Sequence, residues 1–257
     1  MLLYNNVYNM DCIEGMKQLD DNCIDLTVTS PPYDNLRTYN GYSFDFENVA
    51  KELFRITKDG GIVVWVVGDA TIKGNETGTS FRQALYFKEI GFNLWDTIIY
   101  QKSARAGCGN NKGYWQCFEY MFVFSKGQPK TINLICDREN KTRQPKKTHS
   151  TKRMTNGELK HVTRGGYGEY GRRTNVWTYN TGHGNSTKDK IAYKHPAIFP
   201  EMLAHDHIIS WSNEGDLVFD PFMGSGTTAK VARDLNRKYI GFEVSEEYCN
   251  IIKERMS

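Results

Sequence analysis

The segment Leu217-Val218-Phe219-Asp220-Pro221-Phe222-Met223-Gly224-Ser225-Gly226-Thr227-Thr228-Ala229 constrains this chain more than any other. Leu217 to Asp220 reads as a short buried strand. Gly224-x-Gly226-x-x-Ala229 is a glycine pattern that lets a backbone turn tightly and a ligand approach a helix N-terminus. Thr227 to Leu235 then reads as a helix and Tyr239 to Glu243 as a second strand. Glu243 stands seventeen residues past Gly226, where a carboxylate can accept hydrogen bonds from both hydroxyls of a ribose. No lysine follows the glycines in P-loop order. Such a unit usually opens a nucleotide-binding sheet, yet only 31 residues follow Gly226. There is room for one more strand. The remaining strands must come from the N-terminal part, so the sheet's order is permuted along the chain.

The N-terminal part can supply them. Ile24 to Val28 is an apolar run that leaves through Thr29-Ser30-Pro31-Pro32-Tyr33. Two prolines fix φ and withhold N–H donors, which ends a strand and stiffens the turn. A stiff turn with a hydroxyl, free carbonyls and a flat ring is suited to gripping a flat polar object. Phe46 to Ile56 has apolar residues at helical spacing and stops at Asp59-Gly60-Gly61. Ile62 to Val67 reads as a strand covered on both faces. Ser80 is placed to cap a helix through Lys88 that ends at Gly91. Strands are expected near Leu94–Tyr100 and Tyr120–Phe124, and a closing helix over Glu246–Met256. Strands alternating with helices at both ends predict an α/β fold, a doubly wound and mostly parallel sheet.

From about Gln128 to Arg173 periodicity disappears. Between Arg138 and Arg173 eleven lysines and arginines face three glutamates, a net +8 that leaves −5 for the rest of a chain of formal charge +3. A basic lobe on a mildly acidic body suggests a polyanion partner. We expect a first half over 1–127, a basic inserted region over 128–175 and a second half over 176–257. The six cysteines (12, 23, 108, 117, 136 and 249) form no CxxC pair and no metal-ligand rhythm, so no metal is expected. The opening residues lack the marks of a signal peptide, and no apolar stretch approaches membrane-spanning length. These features predict a cytoplasmic protein with no membrane partner.

In an open α/β sheet, ligands bind beyond the strands' C-terminal ends, near the switch point. Both TSPPY and DPFMGSG leave strands there. If their strands are neighbours, the two turns share one cleft. This combination resembles the β group of DNA amino-methyltransferases, in which the catalytic motif precedes the cofactor motif, and the resemblance covers nearly the whole chain. Thr29 to Tyr33 matches the catalytic motif, and Asp220-Pro221-Phe222-x-Gly224-x-Gly226-Thr227 the S-adenosylmethionine motif. Lys194-His195-Pro196-Ala197-Ile198-Phe199-Pro200-Glu201 resembles the cofactor-flanking segment, with Ile198 in place of a proline. Asn9-Met10-Asp11-Cys12 resembles the turn whose aspartate reads the cofactor's adenine, with Met10 where glycine is usual. Glu119 to Lys126 resembles the strand leading into the target-recognition region.

The resemblance implies a Rossmann-like methyltransferase domain that takes the methyl of S-adenosylmethionine to the exocyclic amino group of a base extruded from double-stranded DNA. It assigns the amine to Ser30 Oγ and the Pro31 carbonyl, rigidity to Pro31 and Pro32, and stacking to Tyr33. It assigns the cofactor to Asp11, Cys12, His195, Pro196, Phe199, Asp220, Pro221, Phe222, Gly224, Ser225, Gly226, Thr227 and Glu243. Arg37 and Tyr39, with Lys146, Lys147, Lys152, Arg153, Arg164, Arg172 and Arg173 of the basic window, are the DNA-contact candidates. Serine at the first motif position favours N4 of cytosine over N6 of adenine. Carbon-5 chemistry is disfavoured because no cysteine follows a proline. The resemblance also allows a homodimer and a companion restriction endonuclease. A nicotinamide-dependent oxidoreductase would use the same glycine turn and acid, but has no use for TSPPY or the basic lobe. RNA or protein methylation, and a DNA-binding module without activity, are the other readings.

Overall fold

The strands that cross the interior are apolar there, and the parallel ones all end on one edge of the sheet. The computed structural model describes residues 2–32, 44–103, 114–140, 147–165, 168–182 and 184–257, with the side chains of Thr148 and Arg164 outside that set. Two units result, one of Met1–Asn133 with Asn175–Ser257, the other of Leu134–Thr174.

In the first unit, apart from a two-residue hairpin of Thr71–Ile72 with Asn75–Glu76, the strands are β1 (Asn6–Asn9), β2 (Ile24–Thr29), β3 (Thr57–Val67), β4 (Asn93–Lys102), β5 (Phe118–Ser125), β6 (Val176–Tyr179), β7 (Leu217–Asp220) and β8 (Lys238–Glu243). They form one eight-stranded sheet in the order β1-β8-β7-β2-β3-β5-β4-β6. All neighbours run parallel except β5, which is antiparallel to both β3 and β4. The helices are α1 (Cys12–Met16), α2 (Phe46–Ile56), α3 (Thr79–Glu89), α4 (Glu201–Trp211), α5 (Thr227–Asp234) and α6 (Glu246–Met256).

Period-two alternation divides the core. Val63, Trp65 and Val67 of β3 join Val49, Leu53 and Ile56 of α2 and Phe87 of α3 on one face. Ile62, Val64 and Val66 join Leu203, Ile208 and Trp211 of α4 and Val231 of α5 on the other. A strand buried on both faces must be apolar at every position, as Ile62–Val67 is.

Three expectations change. Ser80 is not the cap of α3. Gly78 occupies that position at φ +64, and Asp69, arriving from the end of β3, accepts the Ser80 N–H at 2.9 Å and its hydroxyl. Gly60 does not simply stop α2. At φ +80 it lies within β3, which begins at Thr57 directly after the helix. And β6 shows that not every remaining strand comes from the N-terminal part. Its Trp177 and Tyr179 are buried while Val176 and Thr178 are exposed, an alternation in only four residues.

The second unit, described by itself, holds an antiparallel ribbon of Thr148–Arg153 with Leu159–Arg164 and a short pairing of Arg138–Glu139 with Tyr170–Gly171.

Candidate active site

Strands β2 and β7 are hydrogen-bonded neighbours, with Val218 opposite Leu26 and Phe219 opposite Thr27. The turns that leave them therefore emerge side by side, at the edge where all parallel strands end. Ser30, Pro31 and Pro32 line a cleft of about 1550 Å³ together with Pro221, Phe222, Gly224, Ser225, Thr227 and Glu243. Met10, Asp11, Cys12, His195, Pro196, Ile198 and Phe199 line the same cleft. Ligand pockets typically enclose roughly 300–1,000 Å³. This one has room for a nucleoside-sized cofactor and a second flat group at once.

Asp220 and Gly226 do not line it. Asp220 is 1% exposed and directed inward. Its Oδ1 accepts hydrogen bonds from Thr29 Oγ1 at 2.6 Å and Phe222 N at 3.0 Å, and Thr228 Oγ1 lies 2.8 Å from Oδ2. Thr228 Oγ1 is also 3.1 Å from the Val28 carbonyl oxygen. Burial pushes the Asp220 carboxyl up to about 6, against the pull of these hydrogen bonds. Geometrically, Asp220 is a brace between the serine-diproline turn and the glycine turn.

The glycines are dictated by conformation and space. Gly224 and Gly226 have φ of +52 and +80. A Cβ on Gly224 would come within 3.2 Å of His195 Nε2, and one on Gly226 within 3.0 Å of Ile252 Cγ1. Glu243 finishes β8 with its carboxylate against this turn. Oε2 accepts from Gly224 N and Oε1 from Ser245 N, each at 2.8 Å. Burial raises the Glu243 carboxyl above the usual carboxylate range, and the backbone N–H groups act the other way.

Asp11 caps α1, its Oδ1 accepting from Ile13 N at 2.8 Å and Glu14 N at 3.2 Å. Met10 keeps a negative φ, so this turn forms without glycine, and its N–H donates to the Glu243 carbonyl at 3.1 Å. His195 Nδ1 accepts from Ala197 N at 3.1 Å, and the ring sits edge-on to Tyr248 at 4.3 Å. Burial, with the Asp11 charge beside it, pushes the Cys12 thiol up to about 12, so it is protonated and no nucleophile at neutral pH.

One support was not expected from sequence. The Arg255 side chain, from the last turn of α6, is buried behind the glycine turn. Its Nη1 donates to the Ser225 carbonyl and lies 3.1 Å from Ser225 Oγ. Nη2 reaches Glu201 Oε1 at 2.7 Å and Nε reaches Asp189 Oδ2 at 3.3 Å. Lys230 joins the same two acids at 3.1 and 3.4 Å. The guanidinium thus ties the glycine turn to both ends of the segment carrying His195, Pro196 and Phe199.

A second wall was also missed. Asp69, Tyr100, Lys102, Glu119 and Tyr120 line the cleft, and Lys102 Nζ pairs with Glu119 Oε1 at 2.6 Å. Asp69 and Lys102 obey the rule of C-terminal strand ends. Glu119 reaches that edge from the beginning of β5, because that strand is reversed.

Tyr33, Arg37, Tyr39, Lys146 and the side chain of Arg164 lie outside the described residues. Lys147, Lys152, Arg153 and Arg172 are exposed in the second unit. Arg173 is half-buried there, its Nε 3.0 Å from Asp137 Oδ2, and this pairing lowers the Asp137 carboxyl.

A doubly wound sheet whose glycine turn is closed by an acid from the next strand, with a serine-diproline turn on the adjoining strand, is the architecture of Rossmann-like methyltransferases. The profile of the DNA methylase family, of the N6/N4 type, matches residues 24–254. Orphan methyltransferase M.BamHII of Bacillus amyloliquefaciens is 61% identical over 242 residues, covering 93% of this chain and 91% of that protein. Type II methyltransferase M.HpaI of Haemophilus parainfluenzae is 30% identical, covering 96% and 72%. Among solved structures, PvuII DNA methyltransferase (cytosine-N4-specific) superposes with a TM-score of 0.71 at 21% identity over 98% of this chain and 86% of that one. The M1.HpyAVI–SAM complex gives 0.66, also at 21%, over 98% of each chain. The chain belongs to the DNA methylase family, as a β-group amino-methyltransferase that depends on S-adenosylmethionine. That membership decides against the nicotinamide oxidoreductase.

Proposed function

We propose that this enzyme methylates N4 of a cytosine turned out of duplex DNA. The observation that carries the reading is the single cleft lined by Ser30–Pro32 on one side and by Gly224 and Glu243 on the other. The donor set suits S-adenosylmethionine. Asp11 and Glu243 are carboxylates suited to adenine and ribose donors, Phe222 and Phe199 are apolar walls, and Gly224 leaves backbone room beside His195. When bound, that cofactor supplies a methyl on a cationic sulfur, an electrophile that needs orientation more than activation.

The chain's own task is the acceptor. An exocyclic amine is a weak nucleophile because its lone pair delocalises into the ring. Ser30 Oγ and the Pro31 carbonyl accept its N–H bonds, return electron density to nitrogen and aim the lone pair. Pro31 and Pro32 keep that geometry stiff. Tyr33 stacks on the base, offsetting part of the few kcal/mol that extrusion costs. Asp11, Cys12, His195, Pro196, Phe199, Pro221, Ser225, Thr227 and Glu243 surround the cofactor, with Asp220 and Gly226 shaping the turn from beneath. The basic region over 128–175 recognises the target. Ser30 at the acceptor position and the cytosine-N4 specificity named for the PvuII enzyme support cytosine. The name orphan methyltransferase borne by the 61% relative supports action without a companion endonuclease.

Mass spectrometry of nucleosides from DNA treated with the protein and S-adenosylmethionine tests the reading. N4-methylcytosine is expected. N6-methyladenine instead would overturn the choice of base, and no methylated nucleoside would overturn the activity.

A further inference from the structure

The ribbon of the second unit pairs Lys160 with Lys152, His161 with Thr151, Val162 with Ser150 and Thr163 with His149. Directly opposite residues share a face, and the two faces differ. Lys152 and Lys160 stand with Ser150 and Val162, which are half-buried, so this side is partly covered by protein. The other side carries His149, Thr151, Arg153, Leu159, His161 and Thr163, all exposed.

Two properties of this ribbon call for a partner. Like charges directly opposite destabilise a strand pair, and Lys152 faces Lys160. An isolated two-stranded ribbon is marginal in water, and this one has no fully buried apolar face. From Lys147 to Arg164 there are five lysines and arginines, and Glu158 is the single acid. A polyanion would cancel the repulsion. The exposed side adds what a mere phosphate binder does not need: an arginine, two histidines and two threonines, all able to hydrogen-bond base edges, with no acid among them. His149 Nδ1 and Thr163 Oγ1 lie 3.2 Å apart across the ribbon, which helps fix that face. Six residues of antiparallel strand span about 20 Å, and the major groove of B-DNA admits a two-stranded ribbon.

We propose that the Thr148–Arg164 ribbon enters the major groove of duplex DNA, with the face of Arg153 and His161 against base edges. Lys152 and Lys160, on long flexible stems, take the flanking phosphates. The inference rests on the DNA-methyltransferase reading and names the element and the face that select sequence.

The test is a binding selection from a random duplex library by the full-length protein without methyl donor, with a salt titration on the selected duplex. Arg153→Gln and His161→Ala should relax preference at one or two base positions by roughly 10- to 100-fold. Lys152→Gln and Lys160→Gln should weaken all sequences alike, each reducing the slope of log affinity against log salt by about 0.9. Unchanged S-adenosylmethionine binding in all four variants will show an intact cleft. If Arg153→Gln and His161→Ala select the wild-type sequence with undiminished preference, the ribbon is not the reader. An unaltered salt slope in both Lys152→Gln and Lys160→Gln would remove the phosphate contacts. Because selection is read without methylation, a wild type that modifies adenine leaves the ribbon proposal standing. A wild type that methylates its selected cytosine while the ribbon variants keep that selection defeats the ribbon alone.

Discussion

The Thr29 hydroxyl donates to the Asp220 carboxylate across 2.6 Å, joining the residue before Ser30 to the residue that opens the glycine turn. The two residues are 191 positions apart in the chain and are both buried. Replacing Thr29 by valine keeps the shape and removes the donor. We expect turnover to fall about tenfold with little change in cofactor affinity, and stability to fall by about 1–3 kcal/mol for the loss of a buried partner. Single-turnover kinetics, calorimetric binding and urea denaturation read the three quantities.

The same carboxylate predicts a pH dependence. With its folded value raised to about 6, above the unfolded value near 3.9, Asp220 binds more protons folded than unfolded between those limits. Its contribution to stability is therefore full below the lower value and lost as pH rises through 6. Measured against Asp220→Asn, the wild-type protein should gain stability between pH 7 and pH 5. A constant difference across that range would contradict the assignment.

Ser30→Ala removes the proposed side-chain acceptor for the amine. Turnover should drop by about 10²-fold or more, with binding of S-adenosylmethionine retained. Rapid-quench methylation assays beside calorimetric titration give both values.

Glu243 and Arg255 should separate in their effects. Glu243→Gln alters a group in the cleft wall, so cofactor affinity should weaken at least tenfold with modest thermal change. Arg255→Met leaves Asp189 and Glu201 without their buried guanidinium. Because Lys230 still pairs with both acids, it should cost about 1–3 kcal/mol of stability and weaken the cofactor as well, with Arg255→Lys recovering part of each. Thermal melts with and without S-adenosylmethionine distinguish the two patterns.

Cys12 is the control. Its thiol, held up near 12, should resist alkylation at pH 7, and Cys12→Ala, which trims the cofactor wall without removing a nucleophile, should raise KM for the methyl donor while leaving kcat close to the wild-type value. Loss of activity on mild alkylation that Cys12→Ala prevents would contradict its passive role.

Periodic, apolar segments were readable from sequence because one physical requirement governed each of them. Phe46–Ile56, Leu217–Asp220 and Glu246–Met256 occupy the expected residues. The adjacency of β2 and β7 stood in the sequence only as the condition for a shared cleft, and the sheet meets that condition. What escaped was set by tertiary contact. β1 is a four-residue edge strand of polar character, whose structure comes from pairing Asn6–Asn9 with Ile240–Glu243. α4 buries Asp206, His207 and Ser210 among its apolar residues, which erases a polar stripe. Asp69 and Glu119 become site residues only because the sheet brings their strand ends to the cleft, and Arg255 only because α6 packs behind the glycine turn; local spacing carries no trace of such meetings.

The pairing of β1 with β8 has a consequence for how the motif order should be understood. The first and last strands of the sheet-forming chain are laid side by side, so the sheet does not register which loop is synthesised first. The serine-diproline corner and the glycine corner would meet equally well in a polypeptide opened elsewhere and rejoined beside β1. The chemistry answers to the adjacency of the two corners and not to the order in which they are strung.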